Sequence, residues 1–161
     1  MPQFSLTRRL PFRPAELYAI AADVPNYPRF VPLCADARVW DSRQDADGRS
    51  HFRAAIDLAY PRLRLSETLT SEVTADPVAL AVRAVSKAAP AKFLDNRWLF
   101  HDLGAGGTDV DFYIDYELRS WTLQLIVGGM FDYAVRRIIT AFESRAHELY
   151  RPVSSSIPVS P

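Results

Sequence analysis

The chain of 161 residues is long enough for one domain, and a domain of that size buries roughly 70% of the surface that its unfolded chain exposes. Nineteen basic and nineteen acidic residues give a net charge of zero, which excludes the global field that would hold a nucleic acid over a whole surface. A single cysteine, Cys34, excludes an internal disulfide and a cysteine-built metal site.

The N-terminal segment predicts a strand and a short helix. Residues 3–10 alternate between apolar and polar side chains, which is typical of a strand with one buried face. Pro14 suits a helix N-terminus, and the apolar face that follows it predicts a helix to about Asp23.

The segment PNYPRFVP, residues 25–32, carries three prolines within eight residues. This spacing allows at most one irregular helical turn. We therefore predict a rigid apolar loop that presents Tyr27, Phe30 and Val31.

The middle of the chain predicts six further strands. Turn signals separate most of them, at residues 45–48, 60–61, 75–77 and 104–107. The last strand, at residues 108–120, alternates apolar with mostly acidic side chains, and we expect the acidic ones to form a solvated face. With residues 3–10, the prediction is an α+β domain with a seven-stranded antiparallel meander.

A long helix is predicted after this strand, up to about residue 150. Its later turns are amphipathic, whereas its start, WTLQLIVGGMF, has Gln124 as its only strongly polar side chain. Gly128 and Gly129 lower helix propensity and allow a bend or close packing. Two interpretations stay open: burial under the sheet and the proline-rich loop, or an exposed lipid-accessible mouth that touches a membrane or partner.

Three polar residues fall on the apolar faces of predicted strands: Arg8, Glu67 and Asn96. A buried charge is costly unless it is paired. One interpretation is that Arg8 and Glu67 pair with each other or lie in water at a rim. The other is that all three polar residues orient a ligand in a cavity. A β-bulge would shift the faces by one residue and remove the pattern.

The sequence gives no positive sign of catalysis or of a metal site. His51, His101 and His147 lack the spacing of metal ligands, and the glycines at residues 104–107 precede a strand instead of a phosphate-binding helix. Cys34 has no nearby histidine in the sequence. We therefore expect a binding protein without enzymatic activity, metal or resident cofactor.

Residues 1–150 are expected to form the domain, followed at residues 151–161 by a disordered tail rich in proline and serine. The start of the chain has no secretory h-region, and nowhere do 18 apolar residues follow one another. A cytoplasmic location is expected, with transient contact to the inner membrane.

Four segments, YPRFVPLC, FLDNRWLF, VDFYIDYELRS and AFESRA, together resemble the ubiquinone-binding START-domain family. That family belongs to the same broad superfamily as polyketide cyclase-like proteins and the ribosome association toxin, and the resemblance covers about residues 3–150. It implies a helix-grip (START/Bet v 1-like) fold, in which a curved antiparallel sheet and a long C-terminal helix enclose a deep hydrophobic cavity.

The resemblance also implies the residues of a binding site. Those expected in the loop over the mouth are Tyr27, Phe30, Val31, Pro32 and Cys34; those expected in the lining are Leu94, Trp98, Phe112, Met130 and Phe131. The alternation of the last strand adds Tyr116 to the same wall. Many eukaryotic members have a tryptophan before the cysteine, where this chain has Leu33, so an aliphatic wall replaces an aromatic one. Arg8, Glu67 and Asn96 are the candidates for contact with a head group.

By this resemblance, the protein would bind ubiquinone or a related polyprenyl lipid in support of respiratory electron transport and quinone biosynthesis. A second hypothesis is a regulator that binds the large ribosomal subunit, using a local basic patch at Arg136, Arg137 and Arg145. A third is a polyketide cyclase or aromatase, which ranks last because no acid and base pair is recognisable. No DNA partner is expected.

Overall fold

Seven strands and two α-helices form the part of the chain that the computed structural model describes, residues 3–153 apart from the side chain of Leu63. The strands are β1 (Gln3–Leu10), β2 (Cys34–Gln44), β3 (Ser50–Tyr60), β4 (Leu65–Asp76), β5 (Ala81–Ser86), β6 (Ala91–Asp102) and β7 (Thr108–Leu118); the α-helices are α1 (Pro14–Ala22) and α2 (Trp121–Leu149). Short 3₁₀ turns lie at Val24–Arg29, Pro61–Leu63 and Gly104–Gly106. The predicted strands and both short helical segments are confirmed.

The strands form one antiparallel sheet in the order β1-β7-β6-β5-β4-β3-β2. It is the predicted meander, with β1 added beside β7 at the edge. The short β5 pairs with β4 only over Glu72–Asp76. Among the described strands, the first half of β4 therefore has a neighbour only on its β3 side, which leaves room for an opening there.

The alternation of β7 orients its side chains as predicted. Phe112, Ile114 and Tyr116 are buried on the inner face. The acidic side chains on the outer face have partners on neighbouring strands: Asp111 accepts hydrogen bonds from the Thr7 hydroxyl and the His101 ring, each at 2.6 Å. The acidic face thus contributes to strand pairing in addition to contacting solvent.

Helix α2 begins directly after β7 and packs across the inner face of the sheet. The Ser120 side chain caps its first turn, and the Gln124 side chain accepts a hydrogen bond from the Leu118 backbone amide at 2.7 Å. The helix continues unbroken through Gly128 and Gly129, where a Cβ atom would meet only open space. Close packing at these glycines, one of the two predicted roles, is therefore wrong.

One end of the sheet is closed by α1. Leu17 and Ile20 of α1 pack with the buried Leu10 and Phe12, and the Thr108 hydroxyl donates to the Phe12 carbonyl at 2.6 Å. These contacts seal the space between the sheet and the C-terminal half of α2.

The chain after α2 returns to this closed end. The Val153 amide donates to the Pro11 carbonyl at 2.7 Å, within the segment predicted as a tail. Residues 154–161 of that tail lie outside the described residues. No helix within residues 3–153 is long and apolar enough to cross a membrane.

The architecture is the helix-grip fold that the family resemblance implies, with a long C-terminal helix held against a curved antiparallel sheet.

Candidate functional site

An apolar cavity of about 340 Å³ lies between α2 and the inner face of the sheet. Its wall includes side chains from the segment at residues 24–34, from β3 to β7 and from α2. Small residues on the facing strands, such as Ala54 and Ala84, leave part of the space between α2 and the sheet unfilled.

Burial along the wall distinguishes a closed end from a mouth. Near α1 the lining residues Trp98, Phe112 and Phe142 are buried. Near the start of α2 the lining residues Leu65 and Leu123 are only half-buried. The cavity therefore opens at the end of the sheet where α2 begins, beside the half of β4 that has no β5 neighbour.

Most of the predicted site residues lie in this wall: Tyr27, Val31, Pro32, Cys34, Glu67, Leu94, Asn96, Trp98, Phe112, Tyr116, Met130 and Phe131. They come from five separate parts of the chain, which the sheet and α2 bring together. That they contact a ligand stays a prediction.

Two predicted site residues lie outside the cavity. Arg8 is on the inner face of β1, but β1 is an edge strand, and its guanidinium reaches α2, where it donates to the Thr140 hydroxyl at 3.2 Å and lies 3.9 Å from Glu143. Its pairing with Glu67, one of the predicted alternatives, is therefore wrong, whereas its contact with a head group stays a prediction that the distance from the cavity does not favour. Phe30 lies behind the wall, with its ring edge-on to Phe142 at 5.1 Å.

Aromatic rings form the closed end of the cavity. The Trp98 ring lies 4.9 Å from Phe112 and 4.6 Å from Phe142, measured between ring centroids. Farther along β7 toward the mouth, the rings of Tyr116 and Phe131 are stacked at 4.5 Å with an interplanar angle of 16°. Such pairs favour fixed geometries, so the deep wall is pre-formed.

The hydrogen bonds of Asn96 and Trp98 are made within the wall. The Asn96 amide donates to the Tyr113 carbonyl at 3.0 Å, and its oxygen accepts from the Trp98 indole at 3.1 Å. Both residues therefore serve first to hold the aromatic wall, although the amide keeps one donor and one lone pair for a ligand.

Unlike the Asn96 amide, the Tyr116 hydroxyl makes no hydrogen bond within the described wall. Tyr116 is 2% exposed, and its hydroxyl oxygen is buried without a hydrogen-bond partner among the described residues. Burial raises the pKa of this phenol, so the hydroxyl stays protonated and able to donate. An unsatisfied donor in an apolar wall is a position at which a ligand oxygen would be stabilised.

The ionisable groups of the wall do not form a catalytic pair. Burial, with smaller contributions from Asp36 and Asp57, raises the pKa of the Cys34 thiol to about 11, so the nucleophilic thiolate is scarce at neutral pH. Glu67 is half-buried on β4 and has no ion pair within residues 3–153. Nor do three potential metal ligands cluster anywhere in that range.

Sequence reasoning identified only Glu67 in the part of the wall that β3, β4 and β5 supply, and missed Ala54, Ile56, Ser71 and Ala84. Alanine and serine give no hydrophobic signal on a strand. The positions could have been found only by extending the alternation from Leu69 and Val73 to the facing strands.

Comparison with known proteins places the chain in a family. Residues 10–143 match the sequence model of the family described as "Polyketide cyclase / dehydrase and lipid transport". The ribosome association toxin RatA of Rickettsia prowazekii is 29% identical over 154 residues, covering 94% of this chain and 100% of the toxin. The mitochondrial coenzyme Q-binding protein coq10 of Schizosaccharomyces pombe is 30% identical over 118 residues, covering 73% of this chain and 70% of that protein.

Solved structures agree with the observed fold. The 18 kDa protein CC1736 of Caulobacter crescentus superposes with a TM-score of 0.77 at 30% identity, covering 92% of this chain and 98% of that one. A START superfamily protein of Mycobacterium smegmatis superposes with a TM-score of 0.74 at 18% identity over 91% and 98% of the two chains, a likeness of fold alone. By sequence match and architecture, the chain belongs to the polyketide cyclase / dehydrase and lipid transport family.

Proposed function

We propose that the protein binds ubiquinone or a related polyprenyl lipid in its cavity, without catalysing a reaction on it. The observation that carries this proposal is the cavity itself: a pre-formed, largely apolar space with aromatic rings at its closed end and one unsatisfied hydroxyl. Similarity to a coenzyme Q-binding protein over most of the chain supports the same ligand class.

The physical chemistry of the cavity suits such a ligand. Each buried CH₂ group contributes about 0.8 kcal/mol, so the tail would provide most of the affinity. The few polar groups would add selectivity for the head group, as in most small-molecule sites. A charged or strongly polar ligand would lose its hydration without gaining partners here.

The test is the identity of the lipid that the protein carries. We expect organic extraction of the purified full-length protein, followed by mass spectrometry, to recover a prenylquinone. The variant Ala54→Phe places a ring inside the cavity and should carry less of this lipid, while its circular dichroism stays that of the wild type. Failure to recover or load any prenyl lipid in the wild type would overturn the proposal.

Ribosome binding is a second candidate, favoured by the similarity to RatA over nearly the full length of both chains. The basic patch predicted for this role on α2 is largely neutralised: Arg136 pairs with Asp132 at 3.1 Å, and Arg145 lies 3.7 Å from Glu148 and over the Phe30 ring. Co-sedimentation with purified large ribosomal subunits tests this candidate directly, and a strictly lipid-binding protein would stay in the supernatant.

Cyclase activity has the least support from the site. Glu67 is the only carboxylate in the described wall, and the Cys34 thiol is protonated at neutral pH. A cyclase needs groups that take up and release protons at the reacting carbons. Turnover of a polyketide substrate that is lost in Glu67→Gln would be required to revive this candidate.

A further inference from the structure

The chain segments that border the cavity mouth carry basic residues and no acidic ones. They are residues 61–64 between β3 and β4, residues 87–90 between β5 and β6, and residues 119–122 between β7 and the first turn of α2. We call these three segments the mouth rim. Its charged side chains are Arg62, Arg64, Lys87 and Arg119, all of them exposed.

Lining residues place the mouth rim around the opening. Tyr60 and Leu65 flank its first segment, Pro90 belongs to the second, and Leu118 and Leu123 flank the third. All five line the cavity, and all five are only half-buried. The basic side chains therefore surround the entrance to an apolar space.

The charge of the mouth rim is not neutralised by neighbours. Within residues 3–153, none of its four basic side chains forms an ion pair, and Arg119 donates instead to the Lys87 carbonyl at 3.2 Å, which ties two segments together. The nearby Lys92 is paired with Glu117 at 3.0 Å.

The loop regions at the opposite end of the sheet are balanced. Asp45 and Asp47 lie in the same β2–β3 turn as Arg49, and Arg49 also pairs with Asp76 at 3.1 Å. The molecule is therefore neutral overall but polarised, because its mouth end gathers four basic side chains that have no ion-pair partner within residues 3–153.

Large apolar side chains project from the same end. Trp121 is 76% exposed and Leu125, one helical turn later on the same side of α2, is 57% exposed. Exposed tryptophan beside basic residues is typical of a surface that lies at a membrane interface, where the ring enters the headgroup region and the cations meet lipid phosphates.

We propose that the mouth rim, with Trp121 and Leu125, docks on an anionic phospholipid bilayer and so places the open cavity against the lipid. Docking in this orientation would let an apolar ligand pass between bilayer and cavity without crossing water. The surface deepens the proposed lipid-binding function, and it can be tested in the absence of any ligand.

An RNA surface could also attract the basic residues, but it would not account for the rest of the surface. RNA backbone binding uses positive charge and leaves aliphatic side chains without a partner. Leu125 and the half-buried wall around the opening are apolar, and a bilayer is the partner that covers both features.

The experiment measures sedimentation of the full-length, ligand-free protein with vesicles of phosphatidylcholine, with or without phosphatidylglycerol. We expect strong preference for the anionic vesicles. The triple variant Arg62→Gln, Arg64→Gln, Lys87→Gln should lower partitioning on the order of 100-fold at low salt, about fivefold for each basic residue removed near the surface. Trp121→Ala should weaken binding to the same vesicles with all charges in place.

A matched control removes three basic residues elsewhere. The control is the triple variant Arg43→Gln, Arg137→Gln, Arg151→Gln, which changes the net charge by the same amount at exposed sites outside the mouth rim. Only the long-range electrostatic attraction to the vesicle is reduced, so partitioning should fall less than threefold. Thermal unfolding checks that both triple variants fold.

Several outcomes would overturn the proposal: equal binding to neutral and anionic vesicles, an equal loss in the control variant, or a mouth-rim variant that keeps vesicle binding and loses co-sedimentation with ribosomal subunits. The last outcome would assign the surface to RNA. A protein that docks on vesicles but carries no prenyl lipid would instead overturn the proposed function and leave the docking surface standing.

Discussion

The buried Tyr116 hydroxyl lowers the stability of the empty protein, because a donor removed from water without a partner costs about 1–3 kcal/mol. We expect Tyr116→Phe to raise the free energy of unfolding of the ligand-free protein by about 1 kcal/mol. The same change should weaken binding of decylubiquinone roughly 5- to 10-fold, because a carbonyl oxygen loses its donor. Fluorescence titration and chemical denaturation measure the two effects.

Two controls separate a hydrogen bond from a change in cavity shape. Decylbenzene has the same tail on a ring without oxygens, so its affinity should not fall in Tyr116→Phe. Tyr113→Phe removes a hydroxyl from the outer face of the same strand, where the Tyr113 ring lies 5.5 Å from the Arg97 guanidinium. This variant should change the affinity for neither decylubiquinone nor decylbenzene. An equal loss of both ligands in Tyr116→Phe would contradict the assigned donor role.

Asp95 illustrates how the outer face of the sheet depends on pH. Arg83 and Arg97 lie directly opposite each other on β5 and β6, and Asp95 bridges them with hydrogen bonds of 2.9 and 2.8 Å to its Oδ2 atom. Hydrogen bonding from Arg83, then from Arg97, lowers the pKa of Asp95 to about 2.

The pKa of Asp95 is about 3.9 in the unfolded protein and about 2 in the folded protein. Ionised Asp95 therefore stabilises the fold fully at pH values above about 3.9, and this stabilisation is lost as the pH falls through about 2. We expect Asp95→Asn to reduce the free energy of unfolding at pH 7 by about 1 kcal/mol, a value limited by the exposed arginine partners. Urea denaturation should show the difference shrinking between about pH 4 and pH 2. Asp47→Asn, at a more exposed pair 3.9 Å from Arg49, should change the free energy of unfolding at pH 7 less than Asp95→Asn does.

At the level of elements, the glycine pair of α2 weakens the helix where it covers the mouth. Since a Cβ at Gly128 or Gly129 meets open space, Gly128→Ala with Gly129→Ala should stabilise the protein by about 1–2 kcal/mol through helix propensity. If this part of α2 yields to admit ligand, stopped-flow mixing should show slower association and dissociation of decylubiquinone in the double variant.

Gly107 is a control for the glycines of α2, because alanine should have the opposite effect on stability there. It has a φ of 94°, and a Cβ there would collide with the Leu10 carbonyl oxygen, so Gly107→Ala should destabilise the fold strongly. Stabilisation by alanine at Gly107, or destabilisation at Gly128 and Gly129, would contradict this account of the glycines.

Periodicity in the sequence identified the elements, whereas the family resemblance implied most of the site residues. The strict alternation of β7 assigned Phe112 and Tyr116 to the cavity side, because side-chain direction on a strand follows from position alone. Arg8 was assigned to the correct face but to the wrong surroundings, because its neighbours depend on how α2 crosses the edge strand.

Long-range contacts explain what the sequence could not show. No local pattern indicates that the hydrogen bonds of Asn96 are made within the wall or that Ala54 faces a void. The family resemblance supplied the cavity as an expectation, and its dimensions required the structure.

On the scale of the whole molecule, antiparallel connectivity sorts the loops to two ends of the sheet. Consecutive turns alternate between the ends, so a chain with a net charge of zero can gather Arg62, Arg64, Lys87 and Arg119 at one of them. A net charge of zero excludes a global field and leaves a local basic patch open. The fold shows that the charge is distributed unevenly, with its positive excess around the cavity mouth.

The size of the cavity limits how much of a polyprenyl ligand the molecule can enclose. About 340 Å³ is near the lower end of the roughly 300–1,000 Å³ typical of ligand pockets, so a head group and the start of a tail fit and a longer tail must leave through the mouth. For ubiquinone analogues of increasing tail length, calorimetry should show affinity rising by about 0.8 kcal/mol per added buried CH₂ and then levelling off. In Ala54→Phe, the affinity should level off at a shorter tail, because the phenylalanine ring occupies part of the cavity. Affinity that keeps rising to the longest tail would mean that the cavity expands well beyond its observed volume.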